Sequence, residues 1–169
     1  KEVNDYLKKH IDKILALDLV DKKAIRKKKF RIAVDAVNSI GGIAVPMLLE
    51  ALGVEEIFKV NCEPTGDFAH NPESLPEHLR DLSKAVTKNK AHLGIAVDPD
   101  VDRLAMVCED GEMFGEEYTL VAVADYILKH RKKGNTVSNL SSTRALRDVT
   151  EKAGGNYFAS AVGEVNVVE

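Results

Sequence analysis

Gly94-Ile95-Ala96-Val97-Asp98-Pro99-Asp100-Val101-Asp102-Arg103-Leu104-Ala105-Met106-Val107 is the stretch on which the reading of this chain turns. An apolar run from Leu93 to Val97 ends in three aspartates, and a second run, Leu104 to Cys108, follows at once. Short apolar runs bounded by turn residues read as buried strands. The link between them is too short for a helical crossover, so the second strand is expected to return antiparallel at a sheet edge. Three carboxylates in one compact turn repel one another and raise each other's pKa unless a cation neutralises them. Hard divalent ions such as Mg2+ or Ca2+ accept several carboxylate oxygens. The carboxyl end of a strand is also where open α/β sheets place ligands.

Upstream, Ile32–Val37 is a β-branched run and reads as a strand, with a turn at Asn38-Ser39-Ile40-Gly41-Gly42. Ile43–Leu52 reads as a helix stopped by Gly53, and Ile57–Val60 as a second strand. A loop rich in Pro, Gly, Asn and His runs from Asn61 to Asn71. Ser74–Asn89 carries Leu75, Leu79, Leu82 and Val86 on one stripe, with Ser74 as its cap, Pro76 in its first turn and Glu77 at the capping-box position. Residues 4–17 have helical spacing at Val3, Leu7, Ile11, Ile14 and Leu15. The basic stretch Lys22–Arg31 reads either as a patch for an anionic surface or as a solvated linker, and the negative net charge favours the linker. Downstream, Leu120–Lys133 reads as a helix, Thr136–Leu140 as a strand, Thr143–Ala153 as a helix and Tyr157–Ala161 as a strand. Alternating strands and helices predict an α/β fold. The expected architecture is a three-layer α/β/α domain with a mixed, mainly parallel sheet over residues 1–111. A partial second domain of the same type is expected over 112–169.

Composition narrows the function. Of 169 residues, 44% are hydrophobic and 30% charged, which suffices for a packed core and excludes disorder as the main state. Lys and Arg number 24 against 27 Asp and Glu, a net charge of −3 that argues against a nucleic-acid partner. Cys62 and Cys108 form neither a disulfide framework nor a zinc pattern, which fits a reducing compartment. No apolar run approaches the roughly 18 residues of a membrane span, and no signal-like segment opens the chain. Both ends read as cuts within a longer protein.

Several chemistries fit the acidic turn taken alone. As an EF-hand loop, Asp98, Asp100, Asp102 and Glu109 match positions 1, 3, 5 and 12, but Arg103 stands where Gly is required and a strand follows where a helix should start. As the aspartate-nucleophile motif of haloacid-dehalogenase phosphatases, Asp98 and Asp100 fit, whereas Asp102 stands where Thr or Val is expected. A non-enzymatic cation-binding module is a further reading, and a bare solvated acidic turn is the blandest.

The run AVDPDVDRLAMV resembles the metal-binding loop of the α-D-phosphohexomutases, which is D-x-D-G-D-R in that family of phosphoglucomutase, phosphomannomutase and phosphoglucosamine mutase enzymes. RIAVDAVNSIGG…LLEALG is similar to the strand, glycine turn and helix that open the family's second domain. HNPESLPEHLRDL is similar to its N-P-x-P-x-x-x-x-L-x-x-L segment. DGEMFGEEYTLVAVADYIL is similar to the linker and first helix of the third domain, and NLSSTRAL…VGEVNV to the strand, helix and strand that follow. The matches keep the family's order from about residue 30 to the end of the chain.

That resemblance implies a cytoplasmic, Mg2+-dependent enzyme that interconverts hexose 1-phosphate and hexose 6-phosphate. The route would pass through hexose 1,6-bisphosphate and a phosphoserine. Asp98, Asp100 and Asp102 would be metal ligands, and Arg103 would lie near the phosphate. The family's T-A-S-H serine segment, its G-E-x-S sugar loop and its fourth domain find no match, so no catalytic residue is assigned and this chain alone is expected to be inactive. Self-association of the half-domain after Gly111 is a further expectation. Gly115-Glu116-Glu117-Tyr118 imitates the sugar loop but falls at the linker, and Ser141 and Ser142 match a third-domain element. Pro99 and Val101 stand where the family commonly has Gly, and Asn38-Ser39 replaces Asn-Gly; Val101 is expected to hold the turn to negative φ. His70 and His92 are weak general-base candidates, and Gly41-Gly42 is expected to serve a tight turn rather than a phosphate cradle.

Overall fold

The protein is described from a computed structural model over residues 5–131 and 134–168. It divides into two units between Phe114 and Gly115. The first contains α1 (Tyr6–Leu15), α2 (Lys22–Lys28), β1 (Arg31–Asp35), α3 (Gly41–Leu52), β2 (Glu56–Val60), α4 (Arg80–Lys88), β3 (Leu93–Val97) and β4 (Leu104–Val107). The second contains α5 (Glu116–His130), β5 (Thr136–Asn139), α6 (Ala145–Lys152), β6 (Tyr157–Ser160) and a single turn, α7 (Val165–Val168). The expected helix ends at residue 4 and Lys133 lie outside the described residues.

The four strands of the first unit lie in the order β2-β1-β3-β4. β1 pairs parallel with β2 and β3, which places Asp35 beside Val60 on one side and Ala96 on the other. β4 runs antiparallel to β3 at the edge, with Val97 opposite Leu104, as the short link requires. Alternation along the strands divides the core between the two faces. Ala33, Ala96, Ala105 and Val107 face Leu79, Leu82 and Val86 around α4. Ile32 and Val34 face Leu49 of α3 and Ile25 of α2. Helices on both faces make a three-layer α/β/α sandwich with a mixed sheet. In the second unit β5 and β6 pair in parallel, and Leu146 of α6 packs with Val121 and Ala124 of α5.

Readings from hydrophobic spacing fail where side-chain caps, backbone conformation and packing redirect the chain. The stretch expected to be a basic linker contains a helix, α2. The Asp21 side chain accepts the Ala24 N–H at 2.9 Å, Arg26, Lys27 and Lys28 lie at the negative end of the helix dipole, and Ile25 packs on the core. α4 starts at Arg80 rather than Ser74. The Glu73 N–H is taken by the Asn71 side chain and the Glu73 carbonyl faces His78 Nδ1, so a separate turn precedes the helix. β1 stops at Asp35, because Val37 and Asn38 take φ values of 46° and 57°. α3 starts at Gly41, two residues earlier than expected, which puts Pro46 in its second turn. α5 starts at Glu116, so Gly115-Glu116-Glu117-Tyr118 opens a helix, with both glutamates at its positive end.

Candidate metal centre

Asp98 is the residue after β3 and stands at the carboxyl edge of the sheet, 8% exposed. The chain turns at once: the Val101 N–H donates to the Asp98 carbonyl at 3.2 Å. The Arg103 N–H returns to Asp98 Oδ1 at 3.0 Å. This folding brings one carboxylate oxygen from each of Asp98, Asp100 and Asp102 within 4.8 Å of the others. Asp98 is buried, while Asp100 and Asp102 face solvent. Val101 adopts φ 65°, contrary to the expectation of negative φ. For a β-branched residue that backbone costs on the order of 1–3 kcal/mol, so the surrounding bonds must hold it.

The turn's electrostatics follow from its crowding. Burial opposes ionisation of Asp98, but the Arg103 N–H and the hydrogen bonds shared with Asp102 and Asp100 outweigh it and hold the Asp98 carboxyl below the ordinary aspartate range. Asp102 moves the other way. Its hydrogen bond to Asp98, and the charges of Asp100 and Asp98 beside it, push its carboxyl up. The turn thus makes full ionisation of the three carboxylates harder than for separate aspartates. A cation shared by the three oxygens would offset that repulsion, and an all-carboxylate donor set of this kind suits a hard ion such as Mg2+.

Arg103 contributes chiefly through its backbone. Its Nε stands 4.0 Å from Asp102 Oδ1, and both side chains are mostly exposed, so that ion pair is weak and the guanidinium is available to an anion. The edge strand β4 follows the turn directly, which excludes an EF-hand, whose loop must lead into a helix.

Neighbouring segments are tied to the same edge of the sheet. Asp35, 1% exposed, accepts from the Val37 N–H at 3.0 Å and from Asn61 Nδ2 at 3.0 Å, and it faces His70 Nε2 at 3.2 Å. His70 Nδ1 lies 2.8 Å from the Asn71 carbonyl, so the ring clips the 61–71 loop to the end of β1. Asn38 fastens the same loop: its Oδ1 accepts the Ala69 N–H and its Nδ2 donates to the Glu63 carbonyl. The sequence reading missed Asp35, whose only local signal is a lone charge at the end of a strand. His92 Nδ1 accepts the Arg31 N–H at 3.0 Å and is used structurally. Gly41 and Gly42 open a helix, and close approach explains them better than a turn. A Cβ on Gly42 would lie 1.9 Å from the Cys62 carbonyl oxygen, and one on Gly41 would lie 2.6 Å from Val97 Cγ2. In the second unit, Ser141 and Ser142 both donate to Asn139 Oδ1.

Fold and turn together define an α/β/α protein with a carboxylate-lined turn at the strand ends. Comparison with known proteins narrows this further. The family model described as phosphoglucomutase/phosphomannomutase, alpha/beta/alpha domain II, matches residues 8–111, and the model for domain III matches residues 115–169. The chain belongs to the phosphoglucomutase/phosphomannomutase family, and its two units correspond to the second and third domains. It is 32% identical over 159 residues to a protein of Methanopyrus kandleri named probable phosphoglucosamine mutase, covering 94% of this chain and 34% of that protein. It is 32% identical over 164 residues to a Thermococcus kodakarensis protein named phosphoglucomutase/phosphomannomutase, covering 96% and 35%. A crystal structure of a phosphoglucomutase/phosphomannomutase family protein from Burkholderia thailandensis shares the fold, with a TM-score of 0.80 at 24% identity over 98% of this chain and 35% of that one. The chain thus spans about a third of the length of the curated relatives it matches.

Proposed function

We propose that this chain supplies the metal-binding part of a Mg2+-dependent phosphohexomutase acting in the cytoplasm. Its reaction would interconvert hexose 1-phosphate and hexose 6-phosphate by way of hexose 1,6-bisphosphate. One observation carries the reading: in a chain of this family, Asp98, Asp100 and Asp102 converge within 4.8 Å at the carboxyl end of β3. These three residues would hold the ion, which when bound withdraws charge from phosphoryl oxygens. The Arg103 N–H keeps Asp98 oriented. The exposed Arg103 guanidinium offers a planar donor set to a phosphate. The T-A-S-H serine segment is not among these 169 residues, so the chain by itself is expected to give no turnover.

The test is phosphorus NMR on the protein that carries these residues, given each hexose 1-phosphate with Mg2+ and a trace of the bisphosphate. A hexose 6-phosphate should form and should be lost with Asp100→Asn. Release of inorganic phosphate instead, or mutase activity that survives Asp100→Asn, would overturn the proposal.

A further inference from the structure

Among the described residues, one side chain from outside the acidic turn hydrogen-bonds to it. Ser39 lies in the link between β1 and α3, 60 residues before Pro99 in sequence, and is 8% exposed. Its hydroxyl donates to the Pro99 carbonyl at 2.9 Å. That carbonyl belongs to the peptide joining Pro99 to Asp100, so the bond fixes the direction in which the chain leaves for the second carboxylate. One residue beyond Asp100, Val101 holds its left-handed φ of 65° between Asp100 and Asp102. A relaxed turn with Val101 at negative φ would re-aim the flanking side chains, because reversing φ rotates everything beyond it.

The start of α3 packs against the turn. A Cβ on Gly41 would lie 2.6 Å from Val97 Cγ2, so the bare glycine lets α3 approach the end of β3, and Val101 Cγ2 stands at ordinary contact distance, 3.4 Å, from the same point. The Gly41 N–H lies 3.5 Å from Ser39 Oγ, on the accepting side of a hydroxyl whose proton goes to Pro99.

We propose that Ser39 is a positioning residue for the acidic turn. Its bond to the Pro99 carbonyl holds the backbone in the arrangement that Val101 resists and that brings the three carboxylates together. The inference rests on the metal reading above. It predicts that Ser39 and Val101 are energetically coupled: once position 101 can adopt positive φ freely, the Ser39 hydroxyl has little left to enforce.

The experiment is a double-mutant cycle on the 169-residue chain with Mn2+ alone as the probe, the free ion being followed by electron paramagnetic resonance. Ser39→Ala is expected to weaken Mn2+ binding about three- to tenfold. Val101→Gly alone should bind within about twofold of the unsubstituted chain, and adding Ser39→Ala to it should cost less than about twofold. A general loss of stability from Ser39→Ala would affect both backgrounds alike and so would not produce the coupling. Equal affinity for Ser39→Ala and the unsubstituted chain, or the same loss in both backgrounds, overturns the positioning role and leaves the metal reading standing. Failure of the unsubstituted chain to bind Mn2+ overturns the metal reading, and the inference with it.

Discussion

Gly94 sets the distance between α4 and the sheet, and adding one methyl group there tests the packing that supports the acidic turn. A Cβ on Gly94 would lie 2.8 Å from Val86 Cγ2, 2.9 Å from Val107 Cβ and 3.2 Å from Leu82 Cγ. All three neighbours are fully buried. Val107 Cβ is fixed to the backbone and has no torsion with which to withdraw, while Val86 is β-branched and stiff in a helix. The strand or the helix must therefore move. Overpacking of this kind costs about 1–3 kcal/mol, and the reduced entropy of the unfolded chain returns about 0.4–1 kcal/mol. Gly94→Ala should therefore destabilise the first unit by about 1–2 kcal/mol, roughly a five- to thirtyfold faster exchange of the most protected amides of β1 and β3. Amide exchange is the suitable assay because it reports the first unit separately from the second. The geometry also predicts an asymmetry. Val86→Ala removes the clashing methyl and should combine with Gly94→Ala less than additively, whereas Val107→Ala keeps the offending Cβ and should give no relief. Relief from Val107→Ala and none from Val86→Ala, or a neutral Gly94→Ala, would refute the reasoning.

Three further outcomes are expected. Asp35→Ala strips the acceptor from the Val37 N–H, the Asn61 amide and His70 together; it should cost about 1–3 kcal/mol and speed exchange of the Asn38 and Gly66 amides, and a loss below about 0.5 kcal/mol by urea titration would contradict the clip. Burial raises the Cys62 thiol above its ordinary value of 9.0. The folded state thus prefers the neutral thiol, and its contribution to stability is full below about pH 9 and lost as pH rises through the raised value; unfolding measured against Cys62→Ala across that range should show the difference, and parallel curves would deny it. Saturating Mg2+ at about a hundredfold excess over its Kd should stabilise the first unit by about 2.7 kcal/mol, a gain that chelation or Asp100→Asn removes; a chain whose melting ignores Mg2+ would count against the metal centre.

The sheet was legible because its signals are local. Each strand is a short apolar run closed by turn residues, and the few residues between β3 and β4 force the antiparallel return. The three aspartates were legible for the same reason, being packed into five consecutive positions. What the sequence hid depends on which backbone groups the side chains take, near and far along the chain, and on packing. α2 carries one inward apolar residue, Ile25, and its helical state follows from the Asp21 cap and from packing on the sheet. The Ser74–Glu77 pattern satisfies every local rule for a helix start, yet Asn71 and His78 take the backbone groups of Glu73 and delay α4 to Arg80. Asp35 meets His70 across 35 residues and Ser39 meets Pro99 across 60, and no spacing rule reaches that far.

Backbone strain points to the carboxyl edge of the sheet independently of the carboxylates. Among the described residues, six that are not glycine hold positive φ: Lys29, Val37, Asn38, Asn61, Lys90 and Val101. Lys29 and Lys90 follow the ends of α2 and α4, where a left-handed residue is the ordinary way to stop a helix. The other four all follow the carboxyl ends of strands, Val37 and Asn38 after β1, Asn61 after β2 and Val101 after β3. Asparagine tolerates this backbone at little cost, and valine does not. The costly pair, Val37 and Val101, lie on either side of the Ser39–Pro99 hydrogen bond. Strained backbone persists where its surroundings over-determine it, and in this molecule the two strained valines flank the hydrogen bond that joins the acidic turn to the start of α3.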